Sequence, residues 1–469
     1  MRASAMQAGN RPPTPFSLPA TLRRLLLLNI REYVEFDSWP FKAACNYLGT
    51  CIGGVLFYLG RERRAFDLMA KLHRSNCGRL SEIIAERIAH RAVVQKQRSG
   101  VNVRLRKAFG DHIFNQLPQL HTQRYFDQPE RLLGSVAMVL KSPNSEGKGV
   151  IVVCYSYVFP LFARLFDVRK IAKDYLIVFE PSWSGYCNWD ILCYSHLECP
   201  VFVQANEPRD YKFIEGLQPH FWPVPIAANS WVDHRVFRPI EDVKKDIDLI
   251  MVAGWADFKR HHRVFNALGK LRKRGVRLKA VFIGYPMNQS RDRILDAATY
   301  YGVRDQLEIY ESLTPNEVNR HLNRAKVNLI WSRKEGVNRA IVEGMFADVP
   351  CLLREGFNYG YHYPHINSLT GCYANEQELP DKLIWMADNR EKFSPRAWVE
   401  ANMSCQRATD MLTRTIESSM AKVGEPWSGR LAVKVNGLHG MQYWEPQEKE
   451  TFVRDYSYLA SCIQTGKPA

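Results

Sequence analysis

The sequence predicts an α/β fold of two doubly wound domains in tandem, preceded by a helical, basic extension. Three observations carry this expectation. The chain has 469 residues, more than one ordinary core holds at roughly 100–200 residues per domain. From Gly134 onward, short β-branched or apolar runs alternate with helical stretches, twice over, which implies βαβ units and parallel sheets. Before that point the periodicity is helical and the charge strongly positive.

Composition bounds the class. Hydrophobic residues make up 46% and charged residues 24%, near the globular average, so nothing global argues for disorder. The net charge is +16, and residues 1–110 hold 19 Lys+Arg against 7 Asp+Glu, a balance of +12. That region has no nucleic-acid motif and no aromatic–basic interleaving for stacked bases, so no nucleic-acid partner is expected. Contact with an anionic membrane surface and a merely solvated basic face both remain open.

The Leu25–Leu28 run is too short for a signal peptide, so the expected location is cytoplasmic, with peripheral contact on the inner face of the membrane as one of those two open readings. Ala43–Gly60 is uncharged between Lys42 and Arg61 but contains Asn46 and four glycines. It is read as a buried helix rather than a span. The 11 cysteines are scattered singly. Cys187, Cys193 and Cys199 recur every six residues with no histidine pair to complete a zinc pattern, so they are read as reduced core residues.

Residues 1–20, rich in Pro, Ser, Ala and Gly, are expected to be disordered. Residues 21–130 form the helical region, in which Ile52-Gly53, Gly60 and Ala65 suggest one close helical hairpin. The first α/β domain is placed at 131–240, with strands at Val136–Leu140, Val150–Cys154, Leu176–Phe179 and Val201–Val203. The second is placed at 241–424, with strands at Ile247–Val252, Leu278–Ile283, Leu307–Tyr310, Val327–Trp331 and Val349–Leu353. Its last helices are read at Pro395–Lys422, and Thr314 with Pro315 marks one helix start. The tail, 425–469, is expected to pack back on the first domain. Two doubly wound domains in tandem would place a ligand cleft where their strand carboxyl ends face each other.

The chemistry concentrates in Glu335-Gly336-Val337-Asn338-Arg339-Ala340-Ile341-Val342-Glu343. Two carboxylates eight apart flank a loop-to-helix transition after a strand. Helix-start amides near Gly336 to Arg339 favour a diphosphate. A glutamate one to two turns into the helix has the acceptors to hold two ribose hydroxyls. Two glutamates eight apart are common in themselves; the strand, loop, helix and following Val349-Pro350 make this pair distinctive.

The segment EGVNRAIVEGMFADVP resembles the E-x7-E signature of the retaining family-four glycosyltransferases. Asn229-Ser230-Trp231-Val232-Asp233 with Phe237 and Pro239, Ile283-Gly284, and Asn367-Ser368-Leu369-Thr370-Gly371 are similar to three other family segments, in the same order. The resemblance implies a GT-B fold, two Rossmann-like domains facing a cleft. It implies a metal-independent enzyme that moves a hexose from a nucleotide sugar to a glycan or lipid-linked acceptor, as in surface or exopolysaccharide biosynthesis, with no cofactor. It assigns Glu335 to the transferred sugar, Glu343 to the ribose, and Gly336, Val337 and Asn338 to the diphosphate or sugar. Lys259 matches a family lysine that neutralises the departing diphosphate. Trp255 stands roughly where the family has an arginine, and Arg260, Arg333 and Arg339 are the candidates to replace it; the alternative for Arg260 and the adjacent His261-His262 is a solvated helix start.

Phe179-Glu180-Pro181-Ser182-Trp183 follows a strand of the first domain, so Glu180 and Trp183 are candidates for acceptor contacts, against a purely structural loop. Tyr359, Tyr361, His362, Tyr363 and His365 either shape a sugar pocket or pack as a loop. Gly147-Lys148 lacks the upstream glycine of a phosphate loop. The competing functional reading is a non-catalytic GT-B scaffold with the basic helical region as its working part.

Overall fold

Mostly buried apolar runs build two large sheets, as expected of strands covered on both faces. The computed structural model describes residues 17–464 apart from residues 77, 95–99, 198–199, 358–359 and 426. Most of the stretch expected to be disordered, together with Cys199 and Tyr359, therefore lies outside the described residues. Two compact units result: 38–231 with 405–469, and 2–37 with 232–404.

The first unit holds a five-stranded sheet in the order β1-β2-β3-β4-β5. These strands are β1 (Ala137–Lys141), β2 (Gly149–Cys154), β3 (Tyr175–Glu180), β4 (Val201–Gln204) and β5 (Phe221–Val224). β1 runs antiparallel to β2, and the remaining pairs are parallel. The second unit holds six strands: β6 (Ile247–Val252), β7 (Ala280–Gly284), β8 (Leu307–Glu311), β9 (Ala325–Ile330), β10 (Cys351–Arg354) and β11 (Gly371–Ala374). All are parallel, in the order β11-β10-β9-β6-β7-β8. Read from the other edge this is the doubly wound order in which the winding reverses between the first and fourth strands, here β6 and β9.

The helix start predicted at Thr314 is present, and the structure makes it a capping box, with the Thr314 amide donating to Glu317 at 2.7 Å. The stretch between β2 and β3 forms two helices, Val158–Leu165 and Val168–Asp174. Asp167 ends one and caps the other through the Lys170 amide.

Cys405–Lys422, expected to close the second domain, belongs to the first unit. Its buried Ala408, Leu412, Ile416 and Met420 share the core of β1–β5. The tail also lies in the first unit, with a hairpin of β12 (Lys434–Asn436) and β13 (Met441–Tyr443).

The N-terminal region divides as well. Helix α1 (Leu18–Glu32) belongs to the second unit and buries Leu25 in that core. Helices α2 (Trp39–Tyr58), α3 (Glu62–Arg74), α4 (Arg79–Val93) and α5 (Gly100–Phe114) belong to the first. The hairpin of α2 and α3 closes through glycine: a Cβ on Gly49 would stand 2.6 Å from Leu72 Cδ1, and one on Gly53 2.7 Å from Met69 Cε. The expectation of a buried helix at Ala43–Gly60 is corrected. Only Asn46, Gly49 and Gly53 of α2 are buried, because the small residues face α3 and leave the bulky ones outside. Among the described residues no helix is long and apolar enough to cross a membrane.

Candidate functional site

The loops after β6 and β9, the two strands at the reversal, bring the predicted residues together. After β6 the chain passes Gly254, where a Cβ would meet Met287 Sδ at 2.7 Å. A short turn, Asp257–Lys259, follows. After β9 come buried Trp331 and Ser332 and then the loop to the helix Arg339–Phe346. The Arg333 amide donates to the Phe258 carbonyl at 2.7 Å, fastening one loop to the other. Lys259 Nζ thereby stands 2.5 Å from Glu335 Oε1, both side chains largely buried.

Asn338 starts the helix in extended backbone (φ −89°, ψ 105°) and makes no side-chain bond to the first-turn amides. Gly336, Val337 and Asn338 are half-buried in the loop before it. Arg339 and Glu343 are one turn apart on the helix, 3.4 Å between Nη2 and Oε1. Asn328 of β9 donates to the Ala340 carbonyl at 2.7 Å. Gly344 lies so close to that side chain that a Cβ would fall 2.2 Å from Asn328 Nδ2. The two carboxylates of the motif are thus each set against a cation, Lys259 and Arg339, at the mouth of one helix.

Arg260, with left-handed backbone (φ 61°), is turned away into a buried cluster. Its Nε lies 3.2 Å from Glu32 of α1 and its Nη1 2.6 Å from Glu376. Arg263 also reaches Glu32, at 3.3 Å. Arg333 pairs with Asp37 at 2.6 Å. Arg354, at the end of β10, binds the Ser332, Arg333 and Gly356 carbonyls at 3.2, 3.1 and 2.8 Å. Burial, and then the neighbouring charges of Arg260 and Arg333, push the Arg354 guanidinium down to about 10. Three arginines therefore crowd the carboxyl ends of β6, β9 and β10, and Glu32, Asp37 and Glu376 balance them.

His261 and His262 are buried, against the alternative of a solvated helix start. Burial and then Lys259 push the His261 imidazole down to about 3, and burial with Arg263 and Arg260 holds His262 well below its usual range. Trp255 is not at the site surface at all: it is fully buried, its indole N–H on Glu311 at 2.9 Å.

In the first unit Glu180 is buried at the end of β3. Lys434 Nζ lies 2.7 Å from its Oε2, and the Asn436 amide donates to Oε1 at 2.6 Å. Lys434 in turn lies over the Trp231 ring, 4.2 Å from its centroid. Glu180 therefore holds the C-terminal hairpin, while Trp183 of the same loop is exposed. Tyr363 and His365 are buried and His362 stacks on Tyr373 at 4.2 Å, the packed-loop alternative for that segment. Sequence reasoning missed Glu32, Glu376, Arg354 and Lys434. Arg354 had the one local signal, a charge ending an apolar strand.

Residues 234–393 match the family model described as Glycosyl transferases group 1. The second unit thus carries a glycosyltransferase group 1 segment, which supports sugar transfer. No curated protein matches the chain. Among solved structures it is similar to sucrose-phosphate synthase from Thermosynechococcus elongatus (12% identity, 58% of this chain and 74% of that one, TM-score 0.45). It is also similar to HepE from Anabaena in complex with UDP and glucose (13%, 55% and 82%, TM-score 0.42) and to TarM from S. aureus (11%, 56% and 55%, TM-score 0.43).

Proposed function

We propose that the chain transfers a sugar, with retention and without a metal, from a nucleotide-sugar donor to a glycan or lipid-linked acceptor in surface polysaccharide assembly. The observation that carries this reading is the meeting of Lys259 and Glu335 at 2.5 Å beside the Arg339–Phe346 helix start, at the point where the winding of the sheet reverses. That is where open α/β sheets hold ligands.

Glu335 contacts the transferred sugar, and Glu343 accepts from the ribose hydroxyls. The diphosphate lies against the helix-start amides of Gly336, Val337 and Asn338, with Lys259 and Arg339 supplying positive charge. As the anomeric C–O bond breaks, negative charge grows on the departing diphosphate, and fixed cations and amides lower the barrier because they need no reorganisation. The leaving diphosphate takes the acceptor hydroxyl proton. Arg260, set between Glu32 and Glu376, fixes the turn that carries Lys259. Trp183 offers a face for an acceptor ring.

One observation favours the scaffold alternative: the cations beside the motif are each matched with an acid of the chain, Glu335, Glu343 or Glu32. Calorimetric titration with UDP, GDP and ADP, alongside donor hydrolysis by Glu335→Ala and Glu343→Ala, separates the two. Transfer predicts that one nucleotide binds, that Glu335→Ala lowers turnover about 100-fold or more, and that Glu343→Ala weakens nucleotide binding roughly 10- to 100-fold. Turnover unchanged in both variants refutes it, and a chain that binds no nucleotide is a scaffold.

A further inference from the structure

Helix α2 is amphipathic in the reverse sense of a packed helix. Its buried face consists of Asn46, Gly49 and Gly53, the small or polar residues that let α3 approach. Its outward face carries Tyr47, Leu48, Ile52, Val55 and Leu59, each more than half exposed. Trp39 at one end and Tyr58 at the other are 77% and 91% exposed. Burying a Leu or Ile side chain is worth about 1.5–3 kcal/mol, so a fold that shows this many to water leaves a large driving force unused. Scattered surface leucines need no explanation; a continuous helical stripe does.

Charge identifies what covers the stripe. No charge lies between Lys42 and Arg61. The only acid between Trp39 and Arg64 is Glu62, which is buried and bonded to Arg104 at 2.6 Å. Every charge of this hairpin segment that reaches the surface is therefore positive: Lys42 partly, and Arg61, Arg63 and Arg64 fully. At 20 residues the helix is about 30 Å long, yet it does not qualify as a span. A long apolar face, aromatic residues at its two ends and a basic flank are the features of a helix that lies along a bilayer.

We propose that α2 docks this face on an anionic lipid surface, parallel to the membrane plane, with Arg61 and Arg64 on the headgroups. The proposal does not rest on sugar transfer, because docking is read without any donor.

The test is flotation of the full chain with vesicles of phosphatidylcholine mixed with phosphatidylglycerol, and with vesicles of phosphatidylcholine alone. The chain is expected to float with the anionic vesicles. Replacing Leu48, Ile52 and Val55 together by Gln is expected to lower partitioning on the order of 100-fold. Arg61→Ala with Arg64→Ala is expected to lower it roughly 30-fold, an effect that high salt abolishes. Circular dichroism checks that each variant is folded; should the triple variant fail, Ile52→Gln alone must move in the same direction. Undiminished flotation of the folded triple variant overturns the proposal. So does a chain that ignores anionic vesicles, whether it is a monomer or a dimer by light scattering that the triple variant dissociates.

Discussion

Glu180 ends β3 and meets Lys434 at 2.7 Å; Glu335 follows β9 and meets Lys259 at 2.5 Å. Both are buried carboxylates at or just past the carboxyl ends of parallel strands, each with a lysine partner. The sheets around them differ. In the first, β2-β3-β4-β5 run in sequence order, so the winding never reverses and no crevice opens between neighbouring connections. In the second, β6 and β9 are neighbours across a reversal, and the loops after them part to opposite faces. Glu180 has both oxygens taken by β12 and closes a core. Glu335 sits in a half-buried loop before a helix start that Asn338 does not cap with its side chain. A carboxylate at a strand end is thus not by itself a sign of a site; its place relative to the reversal is.

The sharpest way to break that comparison is to remove each lysine in turn. Lys434 is wholly buried, and Lys434→Met strands Glu180 without its counter-charge, so a loss of about 3–5 kcal/mol is expected in urea unfolding. Lys259→Met faces a loop that water can enter, and about 1 kcal/mol is expected there, together with a fall in turnover of about 100-fold or more. Equal destabilisation by the two variants would show that both pairs serve the core alike.

A smaller effect probes the frame without touching a charge. Gly344→Ala forces a methyl against Asn328, which ties the Arg339–Phe346 helix to β9 through the Ala340 carbonyl. A cost of about 3 kcal/mol is expected, from overpacking and the disturbed bond. Nucleotide affinity should fall as Arg339 and Glu343 shift with the helix. If affinity holds while stability falls, the helix is not what positions the donor site.

The second unit was the more legible of the two, because its motif residues and its strand–helix alternation are local in sequence. In the two large sheets the strands left unread are the short ones with unfavourable residues: β5, which contains Pro223, and β11, four residues beginning with Gly371. Residues whose partners are remote gave no signal. Glu32 meets Arg260 across 228 positions, and nothing in α1 announces it. The apolar stretch in α2 was legible as a helix, but its orientation was not. The small residues at 46, 49 and 53 decide it, since close approach to α3 needs them inside and puts Leu48, Ile52 and Val55 outside.

Acid gives the finest separation of the two strand ends. His261, next to Lys259 and packed between Trp255 and Phe282, has its imidazole pushed down to about 3 by burial. The unfolded chain takes up that proton near pH 6.5 and the folded chain does not. Stability from neutral His261 is therefore complete above about pH 6.5 and drains away as the pH falls toward 3. Between pH 7 and pH 5 the expected loss is about 2 kcal/mol for this one group. At Glu180 the thiol of Cys154 is instead pushed up by burial and then by the carboxylate, so it stays neutral throughout that range. His261→Leu removes the titration and keeps the packing apolar. In paired urea unfolding experiments it should lose about 2 kcal/mol less than the parent between the two pH values. Equal losses would mean that His261 is already protonated in the folded chain.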